Sequence, residues 1–166
     1  MVQTLHRVVW FVVLVLVQTQ ILNHVHIMGY ATPMVFIYYI LALNSEIPRK
    51  SLLLQAFALG LCVDIFGNTP GVNAGATTLM AFVRRPLLQM QMLRETTDDY
   101  EPGIRMMGTG AFLRYLSGAT LVFVVAARLM DAFSFAHPLE LLLRIVTDTV
   151  MSVVCIFCID AMRRKR

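Results

Sequence analysis

The chain has 166 residues, of which 58% are apolar and only 14% charged, with a net charge of +4 and a mean hydropathy of +0.70. A soluble domain of this length has too little interior for that much apolar surface, and a disordered chain carries far less of it. Both are excluded, and the composition is that of an integral membrane protein. A spanning helix takes about 20 residues, so six spans leave only termini and short loops and no room for a separate soluble domain.

His6 and Arg7 precede Val8 to Val17, an unbroken apolar run with no small-x-small cleavage site after it. The reading is an uncleaved first helix over 7–22, made polar at its far end by Gln18, Thr19 and Gln20. Thr32-Pro33 suits a helix start, with Thr32 as N-cap and Pro33 in the first turn, where its missing N–H costs nothing. That predicts a second helix over 32–45. At about 1.5 Å per residue it reaches about 20 Å, short of a hydrocarbon core of about 30 Å, so it must thin the bilayer or lean on its neighbours.

A third helix is predicted over 51–66. Ala56, Gly60 and Asp64 recur on it at i, i+4, i+8 and share one face, where small residues permit close helix approach. Gly67 to Gly71 reads as a tight turn. The fourth helix, 72–85, opens on a Gly71-xxx-Gly75 packing pattern and ends at Arg84-Arg85-Pro86. A loop over about 86–107 follows, amphipathic at Leu87 to Leu93 and strongly polar through Asp98, Asp99 and Glu101. Helices over 108–130 and 138–162 complete six spans. The last carries Arg144, Asp148 and Ser152 at i, i+4, i+8, a polar stripe on an otherwise lipid-like helix.

Cations set the orientation. Eleven of the fourteen Lys and Arg (Arg7, Arg49, Lys50, Arg84, Arg85, Arg94, Arg105 and the last four residues) fall on one side if the spans alternate. The opposite loops, 23–31, 67–71 and 131–137, hold none, with Arg128 at their border. The positive-inside rule then places both termini in the cytoplasm. Positives that flank apolar segments and end in Arg163-Arg164-Lys165-Arg166 suit lipid and topology rather than nucleic acid.

No catalytic constellation emerges. His24-Val25-His26 lacks the i, i+4 spacing of a helical metal pair. Cys155 and Cys158 form a single CxxC without further ligands and read, with Cys62, as small buried hydrophobes. Ser117-Gly118 lacks the first Gly of an intramembrane serine protease motif, since Tyr115 stands there, and no His partner lies in a neighbouring span. Asp64 and Asp148 lack the flanking residues of membrane aspartyl proteases. No enzyme and no cofactor are expected. Ionisable groups at membrane depth should face inward and pair, so Arg144 and Asp148 are expected to form a buried ion pair along their helix. Asn68, Asn73 and Arg144 are the candidate donors to Asp64.

Gly60 to Ala74, with Asp64-Ile65-Phe66, the Gly67-Asn68-Thr69-Pro70-Gly71 turn and Asn73, resembles the signature of the rod shape-determining protein MreD family. Pro70 and Gly71 are adjacent here, where that family often has Pro-Leu-Gly. The resemblance implies a non-enzymatic, multi-pass subunit of the bacterial inner membrane, partnered by MreC and, in the same elongation machinery, by MreB, RodA and a penicillin-binding transpeptidase. It further implies an all-α bundle similar to the substrate-binding subunits of energy-coupling-factor transporters. Two functions therefore stand at this point. One is a scaffold whose Asp64, Asn68, Pro70, Gly71 and Asn73 turn, with the Ala56/Gly60 face, docks an MreC-like partner. The other is a vitamin-type transporter subunit with Asp64, Asn68, Asn73, Arg144 and Asp148 around a cavity.

Overall fold

A computed structural model describes residues 2–22, 32–91, 101–131 and 138–163, and among them every regular element is a helix. His24-Val25-His26, Asp98, Asp99 and the basic tail after Arg163 lie outside the described residues. Helix α1 (Val2–Val17) starts earlier than expected and closes in a π-helical turn, Gln18–Leu22. Helix α2 is Tyr38–Leu41, α3 Arg49–Gly67, α4 Val72–Gln91, α5 Ile104–Met107, α6 Thr109–Asp131 and α7 Pro138–Arg163. Helix α3 packs on α4, α4 on α6 and α6 on α7, while α1 touches α2 and α3.

Three of these helices are long and apolar enough to cross a membrane, judged by length and composition: Arg49–Gly67, Thr109–Asp131 and Leu139–Met162. Helix α1 and the start of its π-helical turn together hold a shorter apolar piece, Val9–Gln20. Helix α4 has the length but carries Arg84 and Arg85. It also runs through Pro86 to Gln91 rather than stopping at 85. Proline there forfeits one backbone bond, but Leu88 beyond it is buried and Leu87 reaches Gly118 of α6, so packing holds the last turns in place. The expected loop over 86–107 is therefore helical at both described ends.

The second apolar segment departs furthest from expectation. Instead of a helix over 32–45, Thr32 to Val35 is non-helical, a turn follows at Phe36-Ile37, and only the single turn α2 is α-helical. Pro33 has no N–H to give, and Val35 to Ile40 are all β-branched or aromatic, types that lose rotamer freedom in a helix. The unwound chain runs beside α7. Thr32 meets Asp148, Met34 meets Ser152 and Tyr38 meets Asp160. Asp148 to Ser152 on α7 rise about 6 Å, and the backbone of the segment keeps pace over the two residues from Thr32 to Met34, about twice the helical rise.

This segment is also the centre of the fold. Val35, Phe36, Ile37, Tyr38, Ile40 and Leu41 are all buried, and Phe36 packs edge-on against Phe123 of α6 with ring centroids 5.5 Å apart. Non-helical backbone at membrane depth is tolerated only where protein surrounds it and its polar groups find partners.

Candidate functional site

Helix α4 begins at Val72 behind Gly71, a residue with no side chain to cap it. Its exposed N–H groups are instead satisfied by Asp64, near the end of α3. One Asp64 oxygen accepts from the Asn73 N–H at 3.0 Å, the Asn73 amide at 2.9 Å and the Thr69 hydroxyl at 2.9 Å. The other accepts from the Ala74 N–H at 2.9 Å. A buried carboxylate thus sits on the positive end of the α4 dipole, saturated by four donors. The turn that permits this needs Gly71, at φ +85°, and Asn68, which ends α3 in the left-handed region at φ 53°.

Four residues before Asp64, Gly60 brings the helix backbones together. A Cβ on Gly60 would stand 2.5 Å from the Asn73 carbonyl oxygen and 2.6 Å from the Ala74 Cα. The Thr77 hydroxyl lies 2.9 Å from the Ala56 carbonyl and 2.7 Å from that of Asn73, sharing its proton between the helices. Ala56, Gly60 and Asp64 therefore form the inner face of one hairpin. The expected close approach is present, but the neighbour is α4, so Ala56 and Gly60 are not a free docking face.

The unwound segment is held from both sides. The Thr32 N–H donates to Asp148 at 2.9 Å, the Met34 N–H to the Ser152 hydroxyl at 2.8 Å, and the Val35 N–H to the Gln18 amide oxygen at 2.9 Å. Gln18 returns a bond from its nitrogen to the Pro33 carbonyl at 3.1 Å. Asp148 is only 1% exposed, and its second oxygen is ion-paired to Arg128 of α6 at 2.5 Å. That corrects the expected Arg144–Asp148 pair. Arg144 instead meets Glu140 one turn earlier, at 2.8 Å on an exposed face. The physical reason is geometric. Asp148 is buried where Arg128 of α6 reaches it, whereas Arg144, one turn nearer the start of α7, is 41% exposed and has Glu140 one turn before it as a partner.

At the far end of the segment the free groups are carbonyls, and a cation receives them. Arg84, 1% exposed, donates from Nη2 to the Leu43 carbonyl and from Nε to the Tyr115 hydroxyl at 3.2 Å, and Tyr115 donates to the Leu41 carbonyl at 3.2 Å. Asp160 accepts from the Tyr38 hydroxyl at 2.8 Å and from the Ile104 N–H at 3.1 Å, tying α5 to α7. The acid sits where N–H groups are free and the arginine where carbonyls are free, as the backbone dipole demands.

Between the two walls lies a cleft of about 210 Å³, lined by Thr32, Met34, Val63, Gly67, Thr69 and Asn73. Asp64 braces the wall formed by the α3–α4 turn, and Asp148 braces the wall formed by the unwound chain. Of the five residues expected around a cavity, only Asn73 lines it. Asn68 is exposed at the turn, and Asp64, Asp148 and Arg144 are engaged elsewhere. The lining offers hydroxyls, an amide and a thioether, which suit docking of a neutral polar or mixed surface. Among the described residues no group of three His, Cys, Asp or Glu is placed to hold a metal ion. Cys155 and Cys62 are half-buried, whereas Cys158 is exposed rather than buried.

Gln18, Arg84, Tyr115, Arg128 and Asp160 are the parts that reading the sequence misses. Asp160 had a signal, since it extends the Asp148/Ser152 stripe by two more turns. Arg84 had none, because a cation at the end of an apolar run reads as a boundary marker. No protein-family model, curated protein or solved structure matches this chain.

Proposed function

We propose that this protein is a non-enzymatic membrane scaffold of the bacterial cell-elongation machinery. In this reading it spans the inner membrane six times with both termini cytoplasmic. The unwound 32–43 segment and α4 count as passes alongside α1, α3, α6 and α7. Its external surface is the α3–α4 turn, where Asn68, Pro70 and Gly71 are exposed beside Ile65 and Phe66, at 70% and 62% exposure. An MreC-like partner docks there, and through it the protein reaches the actin-like filament, the glycosyltransferase and the transpeptidase of the same complex.

The observation that carries the reading is the Asp64 cap. Gly60, Asp64, Gly71 and Asn73, the residues behind the resemblance, are each used in one rigid hairpin rather than scattered through the chain. Such a hairpin presents its apex in a fixed shape, as a docking surface requires. The transporter reading draws on the adjacent cleft, but about 210 Å³ falls below the roughly 300–1,000 Å³ of ordinary small-molecule pockets. The cleft is better suited to one inserted side chain of a partner.

Because Asp64 stabilises the hairpin, replacing it confounds folding with docking. The apex separates the two. Pro70→Arg adds a charged side chain at an exposed position outside the cap network. It should abolish copurification of the MreC-like partner and round the cells while membrane abundance stays at the wild-type level. Wild-type copurification and normal rods with Pro70→Arg would overturn the assignment.

A further inference from the structure

Helices α3 and α4 run antiparallel, so the start of α3 lies beside the later turns of α4. There the Arg49 guanidinium stands 4.6 Å above the Phe82 ring, and Arg85, less than one turn further along α4, donates to the Ile47 carbonyl at 3.2 Å. Lys50 is next to Arg49, and all three cations are exposed. Among the described residues none of them forms an ion pair, and Glu46, the nearest acid in sequence, forms none with them. Two exposed arginines thus stand at one corner of the bundle with Lys50 next to one of them in sequence, none of the three ion-paired among the described residues.

Below that corner the surface is apolar. Arg49, Leu53 and Phe57 follow one another at i, i+4, i+8 along α3, and Leu79 and Phe82 are neighbours at i, i+3 on α4. Phe57, Leu79 and Phe82 are all exposed, and the Arg49–Phe82 contact brings the two rows side by side. A cationic head above an apolar seam matches a phospholipid in polarity and order.

We infer that Arg49, Lys50 and Arg85 form a binding site for the headgroup phosphate of an anionic phospholipid of the cytoplasmic leaflet, its acyl chains lying along the Phe57, Leu79 and Phe82 seam. A zwitterionic lipid brings its own cation to the same place and gains less. Only the leaflet named here rests on the orientation proposed above; the site itself does not depend on the scaffold reading. Charge near a membrane surface is worth about fivefold in affinity per Lys or Arg, so two arginines together amount to about 25-fold.

The test uses the purified full-length protein in neutral detergent, with phosphatidylglycerol and phosphatidylethanolamine of matched chains, read by native mass spectrometry. Wild type should retain phosphatidylglycerol preferentially. R49Q/R85Q should lose about 25-fold of that preference with an unchanged thermal midpoint, R49K/R85K should keep most of it, and R105Q, an exposed cation elsewhere, should leave it intact. Should R49Q/R85Q fail to fold, the single variants R49Q and R85Q are each expected to lose about fivefold. Inorganic phosphate at millimolar concentration should not displace the lipid. Equal retention by wild type and R49Q/R85Q, equal loss in R105Q, or displacement by phosphate alone would each overturn the proposal. Since no partner protein is present, such failure would leave the scaffold reading standing.

Discussion

Arg128 on α6 and Asp148 on α7 meet at 2.5 Å, and the same carboxylate holds the Thr32 N–H with its other oxygen. One buried side chain therefore joins two helices to the unwound segment. Removing one partner of a buried pair costs about 3–5 kcal/mol, whereas an exposed pair is worth about 0–1 kcal/mol. Asp148→Ala should approach the first range, and Arg128→Ala should fall at its lower edge because Arg128 keeps 18% of its side chain exposed. Arg144→Ala, which breaks the exposed pair with Glu140, should cost far less than Asp148→Ala, since such a pair is worth about 0–1 kcal/mol. Thermal midpoints of the purified variants in one detergent check the ranking, and an Arg144→Ala loss equal to that of Asp148→Ala would contradict it.

Asp64→Ala should remove four hydrogen bonds and the charge on the α4 dipole. Loss of a cap costs about 0.5–2 kcal/mol and bonds to a charged group about 1.5–3 kcal/mol each before relaxation. A destabilisation of about 2–4 kcal/mol is expected, with amide exchange quickened first at Asn73 and Ala74. Asp64→Asn should recover only part of it, since one side of an amide presents donors to the N–H groups it faces. Unchanged protection at Asn73 and Ala74 in Asp64→Ala would refute the capping role.

The two glycines Gly60 and Gly110 should respond in opposite directions. A methyl on Gly60 runs into backbone of α4 that cannot rotate away, and overpacking of that kind costs about 1–3 kcal/mol. Gly110 lies in α6 with nothing within 4 Å of its added Cβ, so Gly110→Ala should stabilise by about 0.4–1 kcal/mol. Differential scanning fluorimetry of the pair reads the sign directly.

What the sequence reveals and conceals follows from how each signal is written. Four of the helices are legible as long apolar runs, and the Asp64 turn is legible because glycines and an acid stand where a lipid-facing helix has no use for them. Thr32-Pro33 misleads. The same dipeptide that opens a helix also suits extended chain, because the residue before proline avoids the helical region either way. The partners that settle the question, Gln18, Asp148 and Ser152, are remote in sequence. Arg144 and Asp148 have an attractive i, i+4 spacing, but spacing along one helix says nothing of what the next helix offers, and Arg128 lay at a border where it read as a topology marker.

Cysteine accessibility addresses the orientation of the proposed six passes. In a chain without Cys62, Cys155 and Cys158, Asn68→Cys should react with a membrane-impermeant maleimide in intact cells, and Ser45→Cys only after permeabilisation. The reverse pattern would invert the topology, and labelling of both from outside would break the alternation of spans.

Photocrosslinking in living cells reads whether the proposed partner docks at the α3–α4 apex. A photoreactive residue at Asn68 should crosslink to the MreC-like partner, while one at Glu46, at the opposite end of α3, should not. Crosslinking of the partner from Glu46 and none from Asn68, in cells where the two proteins still copurify, would contradict the account.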